Sequence, residues 1–363
     1  MIFSIIIFIL TLLVLVVIHE LGHFIMAKRF GIKVEEFGFG IPPKIFGKRI
    51  GETIYSLNAL PIGGFVRLLG EDEESASKRS LNERDFRAKS VGQRIAVVIA
   101  GVVMNLILAW AIFYTVIIYQ NFRIIYPTLD QGVFVGFVQE NFPAEAAGIK
   151  VGDRILRVDD RQVKNFDDPR NFIKEKNGQP VSLTISDAQG QNQKTIIVTP
   201  KKADKEGYLI GVGFSPIAIK EYKTPLEKTF SGITYSYDLT KLTFAGLGKT
   251  FYDLFAGNFK SVSQSVSGPV GLATISNEIL SGGRSAVPFY VWFVGVISLT
   301  LSIFNVLPVP ALDGGRLLFL VIEAVTGKKV SEQTERTVHQ IGFILLLGLA
   351  LLITYSDISK LIR

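Results

Sequence analysis

His19-Glu20-Leu21-Gly22-His23 is the stretch whose residue types and spacing can do chemistry. On a helix, His19 and His23 stand four residues apart and share one face. Two imidazoles so placed can hold one zinc ion, and Glu20 lies close enough to act on a water that the metal polarises. The plain alternative is a polar cap at a helix end. Against it, two of the chain's three histidines fall in this pattern. A catalytic zinc takes three protein ligands and keeps one position open. No further histidine follows His23 at the metzincin spacing, which leaves Glu35, Glu36 or Asp313 as the third ligand. Asp313 is preferred, because it sits in an interrupted apolar block and can meet the histidines where two membrane helices pack. Asn305 is expected to orient substrate near it.

The elements that must position these groups are mostly apolar. The 363 residues are 48% hydrophobic, with mean hydropathy +0.36, and the hydrophobicity is gathered in long blocks. Such blocks point to membrane helices and away from a large soluble core. The motif runs straight on from the first block, whose residues up to Ile18 are apolar apart from Ser4 and Thr11. Without a basic leader or a small-residue cleavage site it reads as a retained helix and not as a signal peptide. Ionisable residues at that depth are costly and point to function. The net charge of +7 is read as loop charge facing anionic lipid, with no nucleic-acid partner. With no cysteine, disulfides and thiolate metal sites are excluded.

The expected fold is a polytopic α-helical membrane protein with about four transmembrane helices, a β-hairpin or reentrant β-loop, and one inserted extracytoplasmic α/β domain. A first helix carrying the motif spans 1–30, and a cytoplasmic-side β-loop and charged loop 31–94. A second helix spans 95–119, a soluble α/β domain 130–215, and an interfacial amphipathic segment 216–288. A broken third membrane region occupies 289–325 and a fourth helix 337–360. Between Phe24 and Arg94 lie thirteen Lys and Arg, which assigns that loop to the cytoplasmic side. Residues 53–57 and 64–68 read as short strands around Pro61-Ile62-Gly63. Gly63, Gly64, Phe65 and Val66 then form either a plain surface hairpin or an edge that pairs with an extended substrate. Asp167 is expected to cap a helix through Glu175, and Asn105 to make a helix–helix hydrogen bond. Prolines 308 and 310 break the third block just before Asp313. His339, ahead of the last block, is read as a surface or interfacial residue.

Within the α/β domain, Val138 to Val158 fits V-x-x-x-x-P-A-x-x-A-G-I-x-x-G-D-x-I-L-x-V and resembles a PDZ domain. Such domains bind chain termini or extended peptides along a strand. With His-Glu-Leu-Gly-His in the first apolar block and Asn-x-x-Pro-x-Pro-x-Leu-Asp-Gly in the third, the chain resembles the site-2 protease family of intramembrane zinc metalloproteases. Gly64-Phe65-Val66, Phe86, Lys89, Arg94, Ala100-Gly101, Asn105 and Gly268-Pro269-Val270-Gly271 fit as well, closest to the bacterial regulator-of-sigma-E type. The resemblance implies zinc on His19, His23 and Asp313, with Glu20 catalytic, in the bacterial cytoplasmic (inner) membrane. It implies substrates that are single-pass membrane proteins already trimmed by another protease, such as anti-sigma factors or signal-peptide remnants. It makes residues near Gly63 the membrane-reentrant β-loop. The best-known members of this type carry two tandem PDZ domains, and this chain shows one.

A competing reading is a non-proteolytic membrane PDZ scaffold with a structural metal site. Glu20 argues against it, since a structural site has no use for that carboxylate. A transporter with a broken helix is the third reading, and the lack of an internal repeat counts against it.

Overall fold

The structure, a computed structural model, describes residues 2–71, 82–128, 132–188, 190–203, 207–215 and 217–362. Part of the charged loop expected between Glu71 and Arg94 therefore lies outside the described residues. In chain order, α1 (Ile2–Arg29) is followed by β1 (Val34–Ile50), β2 (Thr53–Leu68) and α2 (Val91–Tyr119). Next come β3 (Arg123–Tyr126), β4 (Val133–Val138), α3 (Pro143–Ala146), β5 (Arg154–Val158), β6 (Arg161–Gln162) and α4 (Asp168–Glu175). The strands continue as β7 (Val181–Ser186), β8 (Lys194–Val198), β9 (Lys201–Ala203), β10 (Gly207–Leu209), β11 (Val212–Ser215) and β12 (Ala218–Glu221). Helices α5 (Pro225–Thr229), α6 (Ser231–Phe255), α7 (Phe259–Ser265), α8 (Pro269–Ser281), α9 (Val287–Val306), α10 (Asp313–Thr326) and α11 (Glu332–Ile362) complete the chain. Among the described residues, four helices are long and apolar enough to cross a membrane: Phe3–Arg29, Val91–Tyr119, Val287–Val306 and Gln333–Lys360.

The chain divides into two compact units, Met1–Phe113 with Lys249–Arg363, and Tyr114–Gly248. In the first, α1 ends where Gly31 turns left-handed (φ 68°), so that Ile32 N–H can reach back to Ala27 O at 2.9 Å. Phe8 and Leu15 of α1 pack with Tyr290, Phe293 and Ile297 of α9 and with Leu272 and Ile275 of α8. Thr11 and Tyr290 share a hydrogen bond of 2.9 Å, which keeps two polar groups satisfied inside that apolar layer. Gly22 lets α1 and α2 close up, because a Cβ there would strike the Ala100 carbonyl.

The β1–β2 sheet differs from a simple two-run hairpin. Residues 36–39 lie in the middle of the sheet. They pair with residues 64–67 on one side and with 54–57 on the other, and 54–57 pair in turn with 46–49. Two long strands thus double back into four short runs, and residues 64–67 pair on one side only among the described residues. Glycine at 38 is what this folding needs, since a Cβ there would meet the Phe65 ring.

In the second unit, β11-β4-β5-β7-β8 form a sheet, with β6 beside β5. Val135, Ile155, Leu183 and Ile185 of these strands bury against Ala144 and Ile149, next to α3, and Ile173 of α4. A ribbon of β3 with β12 adds strand on either side of the span expected for this module. Asp167 occupies the N-cap position of α4 but makes no capping bond. Asp168 instead accepts from the Lys164 and Asn165 amides at 2.8 Å each. The helical φ and ψ at Asp167 (−85° and −13°), where a capping residue is normally extended, account for this. The stretch expected to be an interfacial segment, 216–288, holds β12 and the four helices α5 to α8.

Candidate active site and metal centre

Both histidines lie on the face of α1 turned to α2. His23 Nδ1–H donates to the Val97 carbonyl at 2.8 Å, which fixes the tautomer and leaves a lone pair on Nε2 of the neutral ring. Gly101, one turn further along α2, makes room for both rings. A Cβ at that position would collide with His23 Nε2 and would come within 2.8 Å of His19 Cε1.

Asp313 arrives from the other direction. Helix α9 stops because Pro308 and Pro310 cannot continue it, and Leu307 is extended (ψ 143°) ahead of the first proline. The chain then turns through Ala311, left-handed at φ 72°, and re-enters helix at Asp313. Gly314 and Gly315 let this turn fold onto the start of α10, since a Cβ at 314 would strike the Leu307 carbonyl and one at 315 would come within 2.7 Å of Val309 O.

The three side chains converge. His19 Nε2 is 2.8 Å from Asp313 Oδ2, His23 Nε2 is 3.2 Å from the same oxygen, and the two Nε2 atoms are 3.2 Å apart. Ligand atoms of His19, His23 and Asp313 all fall within 4.8 Å of one another. Atoms this close in a mostly buried site need a ring proton or a metal cation among them, and two imidazoles with a carboxylate are a zinc donor set. The donor set therefore fits zinc. His19 Nδ1 is buried without a partner among the described residues, so it is free to carry that ring's proton once Nε2 is a ligand.

A cavity of about 350 Å³ opens on this cluster, and its lining includes Glu20, His23, Phe65, Val66, Arg67 and Asp313. Gly64 lies alongside, where a Cβ would sit 3.6 Å from Glu20 Cγ. Residues 65–67 line the same cavity as Glu20. Gly63, left-handed at φ 98°, neighbours Ile41 instead. Asn305 is half-buried in the last turn of α9 and is not among the residues lining the cavity. Glu36 is committed elsewhere, to Lys44 at 3.3 Å and Arg67 at 3.4 Å. Burial pushes its carboxyl up, but these cations hold it below the usual range. Glu35 is not part of the metal-ligating cluster.

One expectation changes and another gains detail. Asn105 is fully buried, yet its side-chain amide has no partner among the described residues. The helix contact is made by its backbone carbonyl, which accepts from Ser298 Oγ at 2.8 Å. His339, read as a surface or interfacial residue, has a defined partner. It is half-buried, and its Nδ1 accepts the Ala311 amide at 2.9 Å. Arg316, paired with Glu71, also lines the cavity and was not singled out by the sequence. Its one sequence signal was a cation one turn after Asp313.

The family model of peptidase family M50 matches residues 7–349. A putative zinc metalloprotease of Clostridium perfringens (strain 13) is 37% identical, covering 95% of each chain. The zinc metalloprotease RasP of Geobacillus kaustophilus is 30% identical and covers 98% of each. The regulator of sigma-W protease RasP of Bacillus subtilis (strain 168) is 30% identical over 99% of each. Among solved structures, the PDZ domain of an SdrC-like protein from Listeria innocua matches 23% of this chain and 92% of its own, at 26% identity and a TM-score of 0.21. With a family match along nearly its whole length and full-length relatives that are zinc metalloproteases, the chain belongs to peptidase family M50, the site-2 proteases, and is a membrane zinc metalloprotease.

Proposed function

We propose that this enzyme hydrolyses peptide bonds inside the transmembrane segments of single-pass membrane proteins that another protease has already shortened. His19, His23 and Asp313 hold the zinc, and Glu20 is the general base. The observation that carries this reading is the meeting of three ligand atoms and Glu20 at a cavity bordered by a one-sided strand. Zinc supplies Lewis acidity that polarises the scissile carbonyl and draws the pKa of water toward neutrality. Glu20 takes a proton from the attacking water as its oxygen bonds the carbonyl carbon. The same carboxyl then delivers that proton to the amide nitrogen as the C–N bond breaks. Val97 keeps His23 in the tautomer a ligand needs.

A transmembrane segment must leave its helix to be cut, and its freed backbone groups need partners. Gly64, Phe65 and Val66 pair on one side only among the described residues, and Phe65 and Val66 line the cavity with Glu20, so the substrate is held as an added strand. Gly63 sets the turn into that edge, and Asn305 positions the substrate from the end of α9. The basic stretch between Phe24 and Arg94 supports a cytoplasmic active-site side in a bacterial inner membrane. The α/β module then lies outside the cytoplasm and engages peptide termini in the manner of a PDZ domain.

The test is reconstitution with a panel of trimmed single-pass proteins, comparing wild type with Glu20→Gln. Wild type should cut within the membrane segment. Glu20→Gln should keep its zinc and lose about 10²–10⁴-fold in rate, the range of general acid–base catalysis. Cleavage confined to segments outside the membrane, or an unimpaired Glu20→Gln, would overturn the proposal.

A further inference from the structure

The third histidine has no part in the chemistry above, yet it packs on the segment that carries Asp313. His339 Nδ1 accepts the Ala311 amide at 2.9 Å. Its Cε1 would stand 3.2 Å from a Cβ on Gly315, and its ring centroid lies 5.8 Å from that of Phe319. Three residues along α11, Gly342 meets the same turn, since a Cβ there would collide with Pro310. Ala311 is left-handed at φ 72°, a conformation that non-glycine residues resist. An apolar cavity of about 290 Å³, bounded by Val309, Pro310, Val338, Ile341 and Gly342, opens beside the turn. The turn has room to relax if its hold is lost.

We propose that His339 is a positioning residue for the metal centre: by accepting the Ala311 amide it holds the left-handed turn from which Asp313 reaches His19 and His23. The last membrane helix thereby sets the geometry of a ligand that belongs to another element. This rests on the reading of Asp313 as a zinc ligand. It assigns no proton transfer to His339, which acts through Ala311 alone.

The test is made in a Glu20→Gln background, so that it reads the metal and not proteolysis. Zinc retention against a chelator and the visible spectrum of the cobalt-substituted protein are measured for His339→Ala, His339→Asn and His339→Ala with Ala311→Gly. His339→Ala should bind zinc about 10- to 100-fold more weakly, the usual cost of losing a partner that orients a ligand, and should alter the cobalt spectrum. His339→Asn, whose side-chain oxygen can accept the same amide, should restore both. Ala311→Gly should recover part of the loss, because glycine takes a positive φ without a Cβ penalty. Where the alanine variant does not fold, His339→Leu fills the space without an acceptor.

Zinc affinity of His339→Ala within about twofold of the parent, well short of that range, overturns the proposal. So does a His339→Asn variant as weak as His339→Ala while both melt like the parent. A parent that binds no zinc overturns the metal-site reading itself, and this inference falls with it.

Discussion

Asp313 and Asp357 are aspartates of the same unit placed in opposite surroundings. Asp357, 3% exposed on α11, faces donors: the Gly268 and Gly271 amides at 2.9 and 2.8 Å, and Lys360 at 3.7 Å. A Cβ on either glycine would come within 3.0 Å of the Asp357 carboxylate, so the Gly-Pro-Val-Gly stretch is cut to admit it. Asp313 faces two imidazole nitrogens and a cavity. A buried carboxylate ringed by donors is complete in itself and serves the fold. One turned toward two imidazole nitrogens is suited to share a cation with them. The partners, more than burial, separate structure from chemistry.

The comparison is broken most directly by removing each carboxylate. Asp313→Ala should strip zinc by more than the ~100-fold loss typical of an outer partner, with the apoprotein's melting little changed. Chelator competition on the purified protein measures this. Arg94 and Glu323 provide a second self-contained pair, 2.6 Å apart and nearly buried. Arg94→Ala would strand Glu323 and should cost about 3–5 kcal/mol, read as a lower midpoint in unfolding. Zinc stoichiometry should survive. Asp357→Asn should cost less, about 1.5–3 kcal/mol, since an amide oxygen still accepts but without the charge. If Asp357→Asn released zinc as Asp313→Ala does, the division between the two carboxylates would be wrong.

Local pattern carried much of this. The spacing of His19 and His23 is a helix property, and the prolines at 308 and 310 mark the break ahead of Asp313 in the sequence itself. Four apolar blocks likewise announce the four candidate spans. What escaped depends on contacts distant in sequence. Nothing near His339 shows that its ring meets an amide 28 residues earlier. The doubled β1–β2 sheet escaped for a related reason: residues 36–39 carry few strand signals, and their place between two other runs is set by pairing, not by propensity. Asn105 was expected to bond through its side chain, but Ser298 reaches its backbone instead. A polar residue in an apolar helix announces that it must be satisfied, not which of its groups will be.

The smallest test of the same contrast is steric. Gly268 and Gly271 make room for a carboxylate that donors already hold, whereas Gly101 makes room for the two imidazole rings proposed to hold the metal. Gly101→Ala should therefore leave the helices assembled and weaken the metal site. Its methyl would press on His23 Nε2 and His19 Cε1, and the strain of about 1–3 kcal/mol usual for overpacking falls on the ligands. Gly271→Ala should show the opposite balance, with a lower melting temperature and unchanged zinc affinity. Measuring both quantities for both variants is decisive, because a general loosening of the bundle would lower them together. Only if Gly101→Ala loses zinc out of proportion to stability is the close approach of α2 to α1 part of the metal site's construction, beyond being part of the packing.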